Sequence, residues 1–413
     1  MRATKDSGFE WIGIIPSEWG LSRIGQVYRL RNTKVSDTDY PPLSVTNKGI
    51  VPQLDTAAKT NAHDDRKLVK KGDFAINSRS DRRGSCGISD YDGSVSLINT
   101  ILAPLNEMNP GYYDWLFHTV QFGDEFYKFG HGIVDDLWTT GWQEMKKITI
   151  PTPPLSEQKR IADFLDAKCA EIDALTADIQ TQIDTLEQYK RSVITETVTK
   201  GLNPNAEMKD SGVQWIGNMP SHWEVIRGKY ILRYMQKPVR EDDGVITCFR
   251  DGEVTLRSNR REDGFTMSDK EIGYQGIDVG DLVVHGMDGF AGSIGISDSR
   301  GKASPVLNVL DTDQNKRYIM YYLRSMAYSD VFLALATGIR VRSCDLRWNK
   351  LADLSYPVPP LGEQKAIVEH IDAVLAKADA VISDKKAQLA TLDEYKKSLI
   401  FEYVTGKKEV PLS

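Results

Sequence analysis

Short segments rich in arginine, asparagine and hydroxyl side chains are the part of this sequence best suited to ligand contacts. Such side chains donate hydrogen bonds to base edges in the major groove of DNA, and arginine and lysine also bind phosphates. The first half of the chain supplies Ser44, Thr46, Asn47, Lys48, Asn77, Arg79, Arg82 and Arg83. The second half supplies Arg250, Arg257, Arg260, Arg261, His285, Arg340 and Arg342. A single arginine is more often a solvated surface charge, so it is the clustering in both halves that predicts DNA contact.

Motifs for catalysis are missing from the sequence. It contains no G-x-x-x-x-G-K-[ST] phosphate loop, and its glycines do not have the spacing of a dinucleotide fingerprint. The six histidines and four cysteines are scattered without metal-ligand spacing. Asp73 and Asp281 each follow a glycine, a pattern typical of a turn that leads into a strand. We therefore expect no catalytic residue and no metal site, and a nuclease built on a duplicated domain is the less favoured alternative.

The charge balance argues against a simple DNA-binding module. The 413 residues carry a net charge of −6, whereas a basic footprint is expected of such a module. A long acidic element could hide local basic patches. No apolar run approaches the ~18 residues of a membrane span, and the first residues lack the apolar core of a secretory signal. The widely spaced cysteines favour reduced thiols, so we expect a cytoplasmic protein.

The chain is an internal duplication. DSGFEWIGIIPSEW from Asp6 recurs as DSGVQWIGNMPSHW from Asp210, an offset of 204 (210 − 6). PTPPLSEQKRIADFLD from Pro151 recurs as PVPPLGEQKAIVEHID from Pro357, an offset of 206 (357 − 151). Residues 32–63 and 236–269, in contrast, do not align. A shared fold with two different inserts suits a protein that recognises two different targets. The alternative is that the two copies have diverged without acquiring different functions.

Two long helices follow the two mixed regions. From Ile161 to Val193, apolar residues recur every three or four positions with one skipped step, and Ser156 is a good N-cap. The second copy runs from Gly362 to Gly406. A helix of ~40 residues is ~60 Å long, and one apolar stripe on so long a helix needs a partner. The other copy is the obvious partner.

These patterns predict an α+β fold in four segments. Residues 1–154 and 204–358 are mixed α/β domains, and residues 155–203 and 359–413 are the long helices. Glycine-containing loops alternate with short apolar runs in each domain, as at residues 73–76 and 281–284. Aromatic-rich helices are predicted at residues 112–126 and 318–333.

With these features the sequence resembles the specificity subunit of type I restriction–modification systems. The most specific signals are the two copies of Pro-Pro-Leu-x-Glu-Gln, at residues 153–158 and 359–364, and the opening Trp-Ile-Gly-x-x-Pro-x-x-Trp of both halves. The resemblance covers essentially the whole chain. It implies that the two mixed domains are target-recognition domains, each reading half of a split DNA site. It also implies that the helices form an antiparallel coiled coil that acts as a spacer, in a pseudo-two-fold arrangement.

The resemblance further implies partners. These are double-stranded DNA, two modification subunits that bind S-adenosylmethionine and methylate adenine, and restriction subunits that use ATP and Mg²⁺; the cofactors belong to those subunits and not to this chain. A partner used twice needs the same surface twice, which makes candidates of Glu157, Gln158, Glu363 and Gln364. Capping of the helix start is their other interpretation. A structural scaffold without DNA contact is the alternative function.

Overall fold

The chain forms two compact units. The computed structural model describes residues 2–53, 63–79, 84–132, 138–260, 272–335 and 346–411. The first unit comprises Met1–Ile179 and Lys386–Ser413, and the second comprises Gln180–Lys385. Each unit therefore combines one mixed α/β region with a stretch of both long helices, whereas the division predicted from the sequence follows the chain from one segment to the next.

The first unit is built from short antiparallel strands and helices. Its strands are β1 (Thr4–Asp6), β2 (Ile14–Pro16), β3 (Gly20–Arg23), β4 (Tyr28–Leu30), β5 (Lys34–Val35), β6 (Leu43–Thr46), β7 (Gly49–Pro52), β8 (Arg66–Val69), β9 (Phe74–Asn77), β10 (Cys86–Ile88), β11 (Gly93–Ser96), β12 (Asn99–Pro104) and β13 (Thr149–Thr152). Its short helices are α1 (Ile24–Val27), α2 (Pro110–Phe117), α3 (Val120–Lys128) and α4 (Trp142–Met145), and α5 (Leu155–Lys200) begins here. The central sheet has the order β4–β12–β9–β10.

Aromatic side chains fill the space between this sheet and helices α2 and α3. The Phe117 ring lies 4.6 Å, centroid to centroid, from both Phe74 and Phe122. The aromatic helix predicted at residues 112–126 is two helices in the structure. Thr119 separates them, because its hydroxyl accepts from the Phe122 amide and starts a new helix.

The second unit repeats this plan. Its strands are β14 (Met208–Asp210), β15 (Asn218–Pro220), β16 (Glu224–Arg227), β17 (Leu232–Met235), β18 (Ile246–Cys248), β19 (Val254–Leu256), β20 (Gln275–Ile277), β21 (Leu282–His285), β22 (Ile294–Ile296), β23 (Gly301–Ala303), β24 (Leu307–Thr312) and β25 (Ser355–Val358). Its helices are α6 (Gly228–Ile231), α7 (Lys316–Tyr328), α8 (Val331–Ala334), α9 (Trp348–Asp353) and the start of α10 (Leu361–Val404). Its central sheet, β17–β24–β21–β22, matches β4–β12–β9–β10 strand for strand.

The equivalence extends to the segments that do not align in sequence. The hairpin β6–β7 lies within residues 32–63, and the hairpin β18–β19 lies within residues 236–269. Each hairpin passes closely over a glycine of the outer strand of its sheet, Gly87 in β10 or Gly295 in β22. A Cβ added to Gly295 would lie 1.9 Å from the Gly252 carbonyl oxygen, so no other residue fits there. The two inserts thus share a backbone plan and differ in side chains.

In both units α5 and α10 run antiparallel to each other. In the first unit, Phe164 and Tyr403 have ring centroids 4.5 Å apart and the Lys396 ammonium lies 2.6 Å from the Asp173 carboxylate. In the second unit, the Lys190 ammonium lies 2.6 Å from the Asp379 carboxylate. As the residue number increases along α5, the number of the residue that it contacts on α10 decreases.

The apolar stripe of α5 is narrower than the sequence predicts. Ile172, Ile179 and Ile183 are buried, whereas Leu175 is 47% exposed. The half-buried residue between Ile172 and Ile179 is Thr176. A contact between two helices follows positions spaced four, three and four apart, which here selects Thr176 in place of its larger apolar neighbour.

Two buried tyrosines attach the ends of the long helices to the units. The Tyr112 hydroxyl donates to the Val404 carbonyl (2.8 Å), in the last turn of α10. The Tyr318 hydroxyl, 206 positions later, donates to the carbonyl oxygens of Val198 (3.0 Å) and Pro357 (2.9 Å). Val198 is in the last turns of α5. The end of each long helix is thereby bonded to the core of the unit that contains it.

Removing either hydroxyl should destabilise the chain. We expect Tyr112→Phe or Tyr318→Phe to lower the free energy of unfolding by about 1–3 kcal/mol, because a buried carbonyl loses its donor. Urea denaturation of the purified chain, followed by tryptophan fluorescence, measures the change. Tyr395→Phe is the control, since Tyr395 is 54% exposed on α10 and should leave stability unchanged. Equal denaturation curves for the buried and exposed variants would contradict this role.

Candidate nucleic-acid interface

The tip of the first hairpin presents two of the predicted DNA-contact residues. Asn47 and Lys48 are exposed at the turn between β6 and β7, whereas Ser44 and Thr46 belong to strand β6 rather than to a loop. The Thr46 hydroxyl accepts from the Lys48 amide (3.1 Å) and donates to the Gly49 carbonyl (2.9 Å). Gly49 has a φ of 95°, which favours glycine, so the turn is fixed by its own sequence.

The second basic segment of the first unit lies at the end of β9. Asn77 is buried, and its side-chain oxygen accepts from the Arg79 amide (3.0 Å). That contact gives Asn77 a role in shaping the turn, while the Arg79 side chain is exposed. Arg82 and Arg83 lie outside the described residues. Direct DNA contact by this segment stays a prediction.

In the second unit, the structure brings four predicted residues around one open cavity of about 670 Å³. The hairpin β18–β19 and the turn after it contribute Arg250, Arg257 and Arg260, and strand β21 contributes His285. These residues come from segments that are more than 20 positions apart, and the sheet joins them. Arg261, Arg340 and Arg342 lie outside the described residues.

Acidic side chains balance the arginines of this cavity. Arg260 pairs with Asp251 (2.7 Å) and Glu253 (3.0 Å), and its guanidinium carbon lies 4.2 Å from the centre of the Phe249 ring. Burial alone would raise the pKa of Asp251, but hydrogen bonds from Arg260 and from backbone amides lower it. Asp251 therefore stays ionised and keeps Arg260 against the ring.

A second charge pair lines the same cavity. The Arg250 guanidinium donates to the Asp288 carboxylate at 3.2 Å. Asp251 and Asp288 are not among the predicted DNA-contact residues, because the sequence prediction treats carboxylates only as catalytic groups. Both are followed by a glycine, and Asp251 also follows Arg250; a carboxylate at such a turn can accept from a base edge, which is the signal that the sequence offers.

His285 shapes the turn that carries Asp288. Its Nδ1 accepts from the backbone amides of Asp288 (2.9 Å) and Met287 (3.2 Å), which requires that nitrogen to be unprotonated. Burial lowers the pKa of His285, and the neighbouring Arg250 acts in the same direction against the attraction of Asp288. The imidazole is therefore neutral near pH 7, a structural acceptor rather than a cation.

The four residues predicted to bind a partner have partners inside their own units. Glu157 is buried and accepts from the Arg2 guanidinium (2.5 and 2.6 Å) and from the Trp19 indole (2.9 Å). Gln158 is buried, accepts from the Asn109 amide (3.0 Å) and donates to the Pro153 carbonyl (2.9 Å). These bonds join the start of α5 to the sequence before α2 and to the N-terminal strands.

The second copy has the same arrangement. Gln364 is fully buried, accepts from the Asn315 amide (2.9 Å) and donates to the Pro359 carbonyl (2.8 Å). Glu363 is half-buried and accepts from the His222 ring (2.8 Å). A docking role for these four residues stays a prediction, and their contacts are those of residues that fix the helix start.

The remaining chemistry of the described chain is limited. Cys86, Cys169 and Cys248 are buried free thiols. Within the described ranges, no three His, Cys, Asp or Glu side chains come together as metal ligands. No helix in the described part of the chain combines the length and the apolar composition that a membrane crossing requires.

The chain is similar to known proteins of one family. Residues 16–185 match the family model described as the type I restriction modification DNA specificity domain. The putative type I restriction enzyme MjaX specificity subunit of Methanocaldococcus jannaschii is 27% identical over 281 residues, which are 65% of this chain and 61% of that protein. The chain thus spans less than two thirds of that relative. The type I restriction enzyme MjaVIII specificity subunit of the same organism is 25% identical over 445 residues, which cover 99% of this chain and 98% of that protein.

Two solved structures share the fold. A chain from work on complex assembly and conformational transition of the type I R-M system has a TM-score of 0.70 at 15% identity. It covers 95% of this chain and 99% of its own length. The HsdS subunit from Thermoanaerobacter tengcongensis has a TM-score of 0.52 at 16% identity and covers 98% of this chain and 100% of its own length. At these identities the likeness concerns the fold alone.

The neutral state of His285 should make stability depend on pH. Its folded-state pKa is lowered below the ordinary value of about 6.5, so the unfolded chain binds this proton first and stability falls as pH falls below that value. His285→Asn keeps an acceptor near Nδ1 without titrating there. We expect the urea midpoint of the wild type to drop more between pH 7.5 and pH 5.5 than that of the variant. The same drop in both proteins would show that His285 is not responsible.

Gln364 should stabilise the isolated chain. Gln364→Ala removes three hydrogen bonds from a buried position, those to Asn315, Pro359 and Gln314, and should lower the free energy of unfolding by about 1–3 kcal/mol. Gln180→Ala, on the exposed side of α5, is the matched control with no expected loss. If Gln364→Ala leaves stability unchanged and weakens only the binding of a partner subunit, the docking interpretation is correct instead.

Proposed function

We propose that the chain recognises a bipartite DNA site. The premise is that it belongs to the family of type I restriction–modification specificity subunits, which are non-catalytic. One half-site would be read by the target-recognition domain of each unit. The observation that carries this proposal is the pair of equivalent hairpins. They pass over equivalent glycines, yet one presents Asn47 and Lys48 and the other Arg250 and Asp251.

Because the two hairpins share a backbone plan but differ in the side chains at their tips, we expect the two units to recognise different DNA sequences. Asparagine pairs with adenine in the major groove, whereas arginine pairs with guanine and aspartate accepts from cytosine. A scaffold without DNA contact has no use for such a difference. It would also have no use for an open cavity lined by three arginines. The nuclease alternative has no support from the described residues, which contain no assembled metal-ligand cluster.

We further propose that the long helices are the spacer and the docking surface. The sequence duplication suggests that α5 and α10 pair as an antiparallel coiled coil. It also suggests that the two target-recognition domains are related by a pseudo-two-fold axis. The exposed apolar residues of the two helices recur at the repeat offset of 206: Leu175 (47% exposed) with Val381 (44%), and Tyr189 (51%) with Tyr395 (54%). A surface repeated in this way suits a partner that binds twice.

The proposed partners are two modification subunits and the restriction subunits of the same system. The modification subunits would bind S-adenosylmethionine and methylate adenine, and the restriction subunits would use ATP and Mg²⁺. This chain would recognise the target sequence on the DNA. Because the proposed target is genomic DNA, we place the complex in the cytoplasm.

Exchange of one compact unit tests the bipartite reading. Residues 1–179 and 386–413 should be replaced together by those of a relative with a known target, because Tyr403 and Val404 of α10 pack in the core of the first unit. Expressed with its modification subunits, the hybrid should change one half of the methylated motif and keep the other. Sequencing that detects adenine methylation in host DNA measures both halves.

The reciprocal exchange of residues 180–385 is the control. It should alter the half-site that the first hybrid keeps. A soluble hybrid that changes both halves, or neither, would contradict a separate half-site for each unit.

A further inference from the structure

Of the two ion-paired arginines that line the cavity of the second unit, Arg250, paired with Asp288, is more exposed than Arg260. The Arg250 side chain is 64% exposed and that of Asp288 is 37% exposed. Their single hydrogen bond is 3.2 Å long. An exposed ion pair of this kind is weak, so both groups can exchange it for bonds to a ligand.

The other arginines are less available. Arg260 is held by two carboxylates and by the face of Phe249. Arg257, in the 3-10 turn after β19, donates to the Thr247 hydroxyl at 3.4 Å. These two residues form the wall of the cavity and leave Arg250 at its mouth.

The charge of the cavity fits a base edge better than a phosphate. Three arginines face two aspartates, Asp251 and Asp288, and His285 is neutral. A phosphate requires donors and repels carboxylates, whereas the major-groove edge of a base pair presents donors and acceptors side by side. A cavity with both groups at its mouth is complementary to such an edge.

We propose that Arg250 and Asp288 read a G·C base pair in the half-site of the second unit. Arg250 donates to N7 and O6 of guanine, and Asp288 accepts from the N4 amino group of cytosine. In the base pair, O6 and N4 are hydrogen-bonded to each other and therefore about 2.9 Å apart. The interacting atoms of Arg250 and Asp288 are 3.2 Å apart, so the two side chains match two adjacent atoms of one pair. This inference rests on the proposed function and adds the identity of one recognised base pair.

The backbone holds the two readers in place. Arg250 lies at the tip of a hairpin that Gly295 allows to approach strand β22. Asp288 lies in a turn whose amides donate to His285 Nδ1. Recognition by side chains on a fixed backbone reduces the entropy lost on binding.

Binding of the chain in complex with its modification subunits tests this pairing. The methylated motif of the wild-type complex is determined first, and each base pair of the second half-site is then substituted in competitor duplexes. Arg250→Ala and Asp288→Asn should each relax discrimination at the same G·C position, by roughly ten- to a hundredfold. Arg250→Gln should shift the preference at the guanine position towards adenine.

Arg233→Ala is the matched control. Arg233 is a half-exposed arginine of the same unit that also pairs with carboxylates, Asp311 and Asp313, and it does not line the cavity. It should leave every position of the motif unchanged. Retained recognition of the first half-site shows that each variant is folded and assembled.

Three results would overturn the inference and leave the bipartite reading intact. One is a second half-site without a G·C pair. Another is relaxation at different positions in the two variants, or at none. The third is an equal loss of affinity for all sequences with a smaller salt dependence, which indicates a phosphate contact by Arg250. Absence of any bipartite motif in the wild-type complex would instead refute the proposed function itself.

Discussion

The two cores depend on helix ends that the chain supplies from distant places. The first core contains the start of α5 and the end of α10, and the second contains the end of α5 and the start of α10. Hydrogen bonds from Tyr112 and Tyr318 to the last turns of the helices belong to this arrangement. A unit cut from the chain as one continuous segment would therefore lose part of its apolar core, and each unit needs both helices.

The features shared by the two units explain why residues that contact a ligand can be substituted without loss of stability. The glycine under each hairpin, the sheet order and the helix starts are common to both units. Asn47, Lys48, Arg250 and Asp251 at the hairpin tips have exposed side chains. Substitution at a tip changes the groups offered to a ligand at little cost in packing, whereas substitution at Gly295 would push the whole hairpin away from its sheet.

The repeated Pro-Pro-Leu-x-Glu-Gln motif has two interpretations, a partner surface and a fixed helix start. Its repetition suggested a surface that a partner uses twice, but Gln158 and Gln364 are buried and bond to backbone groups of their own units. Duplication preserves what the fold requires as well as what a partner requires. The exposed apolar residues that recur on the two helices, such as Tyr189 and Tyr395, support the docking proposal better, because burial against another protein would remove their apolar surface from water.

The sequence by itself determined the duplication, the two long helices and the resemblance to specificity subunits, because these depend on local periodicity and on residues repeated at a constant offset. The prolines before α5 and Gly201 after it delimit that helix, but it begins at Leu155 and therefore includes Ser156, the predicted N-cap. The narrow seam, in which Thr176 replaces Leu175, depended on the partner helix and was decided only by tertiary packing. The equivalence of the two hairpins was also hidden, because their side chains differ and only the glycine beneath each is shared. The pairing of Arg250 with Asp288 joins residues 38 positions apart, and a turn held by His285 brings them together. Sequence patterns report local spacing, whereas such a site is created by strands that meet in a sheet.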